Sequence, residues 1–207
     1  MLHGLIQGQL EVRRAGDGST RLAGSFPYGT PAVLSDGGRT GRPRKEVIAP
    51  RAFAYRVEKP DEDIHLLLGH DFGQPLASKL TATLKLTDTD EALKFEALIS
   101  REIAETSYGR DALAMIGSGL AVGISPGFRI PPARAVKDAE AISEEPDRPD
   151  EGMHRAIIRT VKSALLYELS VVTRPAYSES QVEARNWAPN HKPEVSGSRT
   201  AAKRWRL

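Results

Sequence analysis

Residues 119–128 read "GLAVGISPGF", and the way this stretch folds decides the architecture. Gly123-Ile124-Ser125-Pro126-Gly127 satisfies G-x-S-x-G, the pattern of a serine displayed on a sharp strand-to-helix turn above a parallel α/β sheet. That geometry needs a helix directly after the serine. Here Pro126 is followed by Gly127 and then by Pro131-Pro132, which leave no room for a helix of useful length. Phe128 and Ile130 instead alternate as in a strand. The stretch therefore predicts a β-strand carrying Ser125, and the α/β-hydrolase architecture is rejected.

The surrounding sequence points the same way. In "LTATLKLTD" (80–88), Leu80, Ala82, Leu84 and Leu86 fall on one face; in "ALKFEALIS" (92–100), Leu93, Phe95, Ala97 and Ile99 do. The polar residues between them predict a β-hairpin. Further strands are expected at 5–12, 20–29, 63–71, 154–161 and 164–173. Pro50 is placed to open a short helix over 51–57, and residues 101–119 read as one longer helix ended by Gly117 and Gly119. Residues 35–45 and 137–151 read as loops, the second because it holds seven acidic side chains and two prolines. About eight short strands with few helices predict a mostly β fold, a closed or nearly closed β-barrel. One domain is expected over 1–178. A flexible basic tail is expected over 179–207, where the apolar pattern stops and residues 185–207 carry six Arg or Lys against one Glu.

Composition narrows the chemistry. The 29 basic and 27 acidic residues nearly cancel, so no global basic field is aimed at nucleic acid, and aromatics do not interleave with Lys and Arg as a single-strand binder requires. The absence of cysteine excludes disulfides, thiol catalysis and Cys-ligated zinc. No apolar run approaches the roughly 18–20 residues of a membrane span, and the N-terminus lacks the pattern of a secretory signal. These features predict an intracellular soluble protein.

A serine hydroxyl is a poor nucleophile until a base takes its proton. Of the five histidines, His3 and His191 lie in the expected tails and His154 borders the acidic loop. That leaves His65 and His70, which point to opposite faces of one extended strand. Either is equally readable as a packed, hydrogen-bonded histidine. Gly123 and Gly127 flank the serine, allow close backbone approach, and are candidate oxyanion-stabilising backbone positions.

Three blocks, "LLLGHDFGQPLAS" (66–78), "GLAVGISPGF" (119–128) and "LYELSVVTRPAYSES" (166–180), resemble in order and spacing the signature blocks of the caudovirus prohead proteases. The upstream "GSFPYG" and "EVIAPRAF" resemble that family's lead-in. The resemblance implies a β-barrel like herpesvirus assemblin and a serine endopeptidase with Ser125 as nucleophile and His70 as general base, returning His65 to packing. It implies no cofactor and no metal. Its implied partners are the scaffold protein and the major capsid protein inside the prohead, with self-association a further possibility. Its implied setting is the assembling prohead in the host cytoplasm, and it implies self-cleavage, for which the tail is an accessible target. A catalytically inactive assembly factor of the same fold is the alternative.

A third group should hold His70 in the correct tautomer. Glu168 is the candidate, because a carboxylate in a Leu/Val-rich strand is costly to bury without a partner. Pairing with an arginine or exposure at a sheet edge would also explain it. Asp71 is the competitor, but its adjacency to His70 demands an unusual turn. The chain departs from the family pattern at Pro126, which has no N–H to offer an oxyanion, and at Ala77-Ser78, where Gly-Arg is usual.

Overall fold

The alternation of Leu93, Phe95, Ala97 and Ile99 is realised in full: all four are buried, and the residues between them face outward. The computed structural model describes residues 11–39, 41–121 and 123–173. In chain order the strands are β1 (Glu11–Arg14), β2 (Thr20–Pro27), β3 (Ala32–Ser35), β4 (Arg44–Ile48), β5 (His65–Leu68), β6 (Asp71–Ser78), β7 (Leu84–Asp88), β8 (Ala92–Ile99), β9 (Gly123–Arg129), β10 (Glu140–Glu144), β11 (Asp147–Arg148), β12 (Met153–His154), β13 (Ile157–Val161) and β14 (Leu165–Val172). The helices are α1 (Ala54–Glu58), α2 (Arg101–Ala104) and α3 (Ser107–Gly117).

The strands form three four-stranded sheets, in the orders β1-β2-β8-β7, β10-β13-β4-β3 and β6-β5-β14-β9, plus the β11-β12 ribbon. The expected mostly β class holds. The pairings among the described residues give separate sheets rather than one closed ring. Backbone hydrogen bonds join their corners, from the Gly29 amide to the Ile48 carbonyl (2.9 Å) and from the Thr83 amide to the Ser78 carbonyl (3.1 Å). The consecutive strands β13 and β14 part company: β13 runs parallel to β4 and β14 parallel to β5.

All three sheets share one core. Leu22 and Phe95 come from the first, Ile48 and Val161 from the second, and Leu66 and Leu169 from the third. Phe53, fully buried just before α1, sits with its ring centroid 6.0 Å from Tyr28 and 5.5 Å from Phe128. It ties the helix entry to the strand that carries Ser125.

Several expectations need correction. The helix expected over 101–119 is two helices. Ser100 caps α2, and Thr106 caps α3 by accepting the Gly109 amide at 3.0 Å. Two capping residues six apart each start a helix, and the second stops the first. The loop expected over 137–151 contains β10 and β11. Its carboxylates are matched by cations brought from elsewhere: Glu140 meets Arg159, and Glu145 meets Lys45 at 2.5 Å. The loop expected over 35–45 is bounded by β3 and β4 and reaches into both. The count of about eight strands misses β3, β4, β6 and the acidic-segment strands. The strand expected over 63–71 ends at Leu68, with Gly69 and His70 in a turn, and the strand expected over 80–88 begins only at Leu84, leaving Leu80 exposed. Residues 5–10 of the first expected strand, and the tail expected over 179–207, lie outside the described residues.

Candidate active site

The site begins with a turn. β5 and β6 are joined by Gly69-His70 alone, with Leu68 opposite Asp71. A two-residue hairpin needs positive φ at its centre to match the strand twist, and Gly69 and His70 have φ of 62° and 65°. Glycine accepts this freely; for histidine it costs roughly 1–2 kcal/mol. The turn is fastened to β14 by two bonds, from the Gly69 amide to the Val171 carbonyl (3.1 Å) and from the His70 amide to the Ser170 hydroxyl (2.9 Å). Asp71 serves the other side of the turn. It accepts the Gly73 amide at 2.7 Å and the Gln74 side chain at 2.9 Å, and no hydrogen bond joins it to the His70 ring.

β14 supplies the carboxylate through a bulge. Leu166 lies opposite Phe128, but the next pair is Glu168 opposite Gly127, which leaves Tyr167 as one extra residue. An extra residue reverses the alternation of faces beyond it. Without it Glu168 would share a face with Leu166 and point into the core. With it, Leu166, Leu169 and Val171 pack in the core, while Glu168 and Ser170 turn to the opposite face. The Tyr167 ring is held beneath the guanidinium of Arg56, 4.2 Å from its centroid, with Arg129 at 5.4 Å.

On that opposite face Glu168 meets His70. Glu168 Oε1 lies 2.7 Å from His70 Nδ1, and Oε2 accepts the Ser170 hydroxyl at 2.7 Å. Glu168 is 3% exposed, and both of its oxygens are partnered, as a buried carboxyl group requires. With Glu168 accepting, Nδ1 carries the imidazole proton and Nε2 is the basic nitrogen. The His70 side chain keeps 27% of its surface exposed.

Ser125 lies one strand further on, opposite Ser170, and Gly127 lies opposite Glu168. Ser125, Gly127, Glu168 and Ser170 thus share one sheet face. A Cβ on Gly127 would overlap the Glu168 carboxylate, so glycine at 127 makes room for the acid. Pro126 has no N–H and must sit where the strand's amides point away from its partner. By alternation, the amides of Gly123, Ser125 and Gly127 point at β14. Ser125 is buried at 5% exposure. Among the described residues its hydroxyl has no hydrogen-bond partner, His70 included. The structure therefore brings His70 and Glu168 into contact and sets Ser125 beside their shared neighbour Ser170.

A family model described as the caudovirus prohead serine protease matches residues 34–193. The chain belongs to that family. Its members are prohead serine proteases of capsid maturation, and the match spans His70, Ser125, Glu168 and Ser170. Residues 174–193 of the match lie outside the described residues. No curated protein and no solved structure matches the chain.

In this prohead serine protease family member the other histidines serve elsewhere. His65 faces Asp63, 3.3 Å from Nε2 to Oδ2, and its ring lies edge-on to Phe72. Burial pushes the Asp63 carboxyl up, but bonds from the Leu80 amide and Ser78, with His65 nearby, hold it below its ordinary value. His154 is exposed in β12; His3 and His191 lie outside the described residues. Among the described residues no group of three or more His, Asp or Glu side chains is placed to hold a metal ion, and no helix is long and apolar enough to cross a membrane. The residue that sequence reasoning missed is Ser170. Its signal was the spacing Glu168-x-Ser170, which puts both side chains on one face of any strand.

Proposed function

We propose that this family member is an active serine endopeptidase in which Ser125 is the nucleophile, His70 the general base and Glu168 the group that orients the imidazole. The observation that carries this reading is the 2.7 Å contact between His70 Nδ1 and Glu168 Oε1, on the sheet face that Ser125 also occupies. His70 Nε2 takes the Ser125 proton as Oγ attacks the scissile carbonyl. The proton then passes to the leaving amine, and water activated by the same nitrogen hydrolyses the acyl-enzyme. Hydrogen bonds between nucleophile and base are commonly long in unliganded enzymes and tighten around substrate. The amides of Gly123 and Gly127, the oxyanion candidates of the sequence, point at β14. Backbone amides on the free edge of β9 or from a neighbouring loop serve the oxyanion instead, in place of the N–H that Pro126 lacks.

The substrates are the scaffold protein, or the scaffolding segment of the major capsid protein, inside the assembling prohead in the host cytoplasm. The segment after residue 178 is a target for self-cleavage. We read the three sheets, joined at their corners, as a relative of the assemblin barrel.

Co-expression with scaffold and capsid protein tests the reading. Wild type should yield shortened scaffold or capsid protein on a gel, and Ser125→Ala should leave both intact. Identical, full-length products from the two would overturn the protease reading and favour an assembly factor without catalysis.

A further inference from the structure

We propose that Ser170 is a positioning residue for the reaction, its single hydroxyl locking both the carboxylate that orients the His70 ring and the turn that carries it. The proposal rests on the reading of Ser125, His70 and Glu168 given above. Ser170 is fully buried in β14, between β5 and β9. A hydroxyl has one proton to donate and lone pairs to accept with. Ser170 donates to Glu168 Oε2 at 2.7 Å and accepts the His70 amide at 2.9 Å.

Those two bonds and the His70–Glu168 contact form a closed ring. It runs from the His70 amide to Ser170, on to the Glu168 carboxylate, and back to His70 Nδ1. Both ends of one histidine, backbone and imidazole, are thereby tied to the Glu168-x-Ser170 unit of a neighbouring strand. The backbone end matters because His70 sits at φ 65°, a conformation that persists only where the surroundings hold it. The side-chain end matters because a carboxylate without the Ser170 bond is free to swing away from Nδ1 and leave the imidazole without its acceptor. Nothing else among the described residues bonds the His70 amide. Removing the Ser170 oxygen leaves a buried carboxylate oxygen and a part-buried N–H without their partner.

A double-mutant cycle on the full chain tests this, with an active-site-directed fluorophosphonate as the probe and Ser125→Ala as the blank. Ser170→Ala should slow labelling roughly ten- to a hundred-fold, by analogy with groups that orient metal-ligating side chains. Glu168→Gln should slow it further, and adding Ser170→Ala to Glu168→Gln should cost clearly less than Ser170→Ala costs in wild type, because the carboxylate-locking share of the Ser170 effect runs through Glu168. Labelling of Ser170→Ala at the wild-type rate, or losses that multiply independently, would overturn the proposal. If Ser170→Ala does not fold, Ser170→Cys replaces it. That variant keeps the bulk and weakens both bonds, so a reduced rate supports the role and a wild-type rate overturns it. The far-downfield Nδ1–H proton resonance of His70 gives a readout independent of catalysis. It should be present in wild type and lost or shifted in the Ser170 variant; an unchanged resonance sinks the role. Failure of wild type to label would count against the protease reading, and the resonance would still decide Ser170.

Discussion

Gly127 faces Glu168 across β9 and β14, and the Glu168 carboxylate fills the space that a side chain at 127 would need. The glycine of the G-x-S-x-G pattern is thus required by the third member of the candidate site. Gly127 has no positive φ, so a substituent there meets the carboxylate and not backbone strain. Gly127→Ala should expel Glu168 from His70, slow fluorophosphonate labelling by about a hundred-fold or more, and destabilise the fold by roughly 1–3 kcal/mol through overpacking. Labelling rate and thermal melting measure the two effects; a labelling rate equal to wild type would refute the first.

Glu168→Gln keeps the shape of the side chain while removing its charge. The amide can present its NH2 to Nδ1, which reverses the tautomer and places the proton on the nitrogen that should act as base. By analogy with the aspartate-to-asparagine change in Ser-His-Asp enzymes, the rate should fall about 10³- to 10⁴-fold. Cleavage of the co-expressed scaffold or capsid protein would follow it, while the melting temperature would move far less than the rate.

Arg159 is the buried cation of the second sheet. Its guanidinium lies 3.1 Å from Glu46, which is 1% exposed, and Nε donates to Glu140 at 2.7 Å. Arg159→Ala takes the guanidinium away from the buried Glu46 carboxylate and should cost about 3–5 kcal/mol, read as a drop in the denaturation midpoint. The site on the third sheet lies away from this pair, so the folded fraction should still label with fluorophosphonate.

Asp88 makes stability depend on pH. Burial pushes its carboxyl above its ordinary value of 3.8, against the opposing effects of the Tyr28 hydrogen bond and Arg51. A carboxyl whose value rises on folding holds its proton more tightly in the folded chain. Its contribution to stability is complete below pH 3.8 and is lost as the pH rises through the raised value. Asp88→Asn keeps an acceptor for the Tyr28 hydroxyl, 2.8 Å away, and does not titrate. The melting temperature of the variant should therefore gain on that of wild type as the pH climbs from the acid range toward neutrality. A difference independent of pH would contradict this.

Much of the scaffold could be read from neighbouring residues. The faces of β8, the strand after Gly119 and the hairpin of β7 and β8 follow from alternation and from where glycine and proline fall. The misreadings occur where distant partners override local character. The acidic run at 137–151 reads as solvated, yet Arg159 and Lys45 from other strands make β10 tenable. The helix expected over 101–119 hides a second capping residue, Thr106, because a threonine inside an apolar pattern looks like any surface residue until its hydroxyl meets the Gly109 amide.

At the candidate site the division is sharper. The sequence by itself determined that Ser125 lies in a strand and that Pro126 withholds an amide there, since both depend on covalent geometry within a few residues. The Gly69-His70 turn was not legible, because 63–71 reads as one apolar strand until β6 pairs back on β5. Only the tertiary structure decided that Glu168 faces His70 and not the core. The facing of a strand residue depends on register with its partner, and the extra Tyr167 between Leu166 and Glu168 reverses it. A bulge exists only between two strands, so no reading of either strand alone contains it.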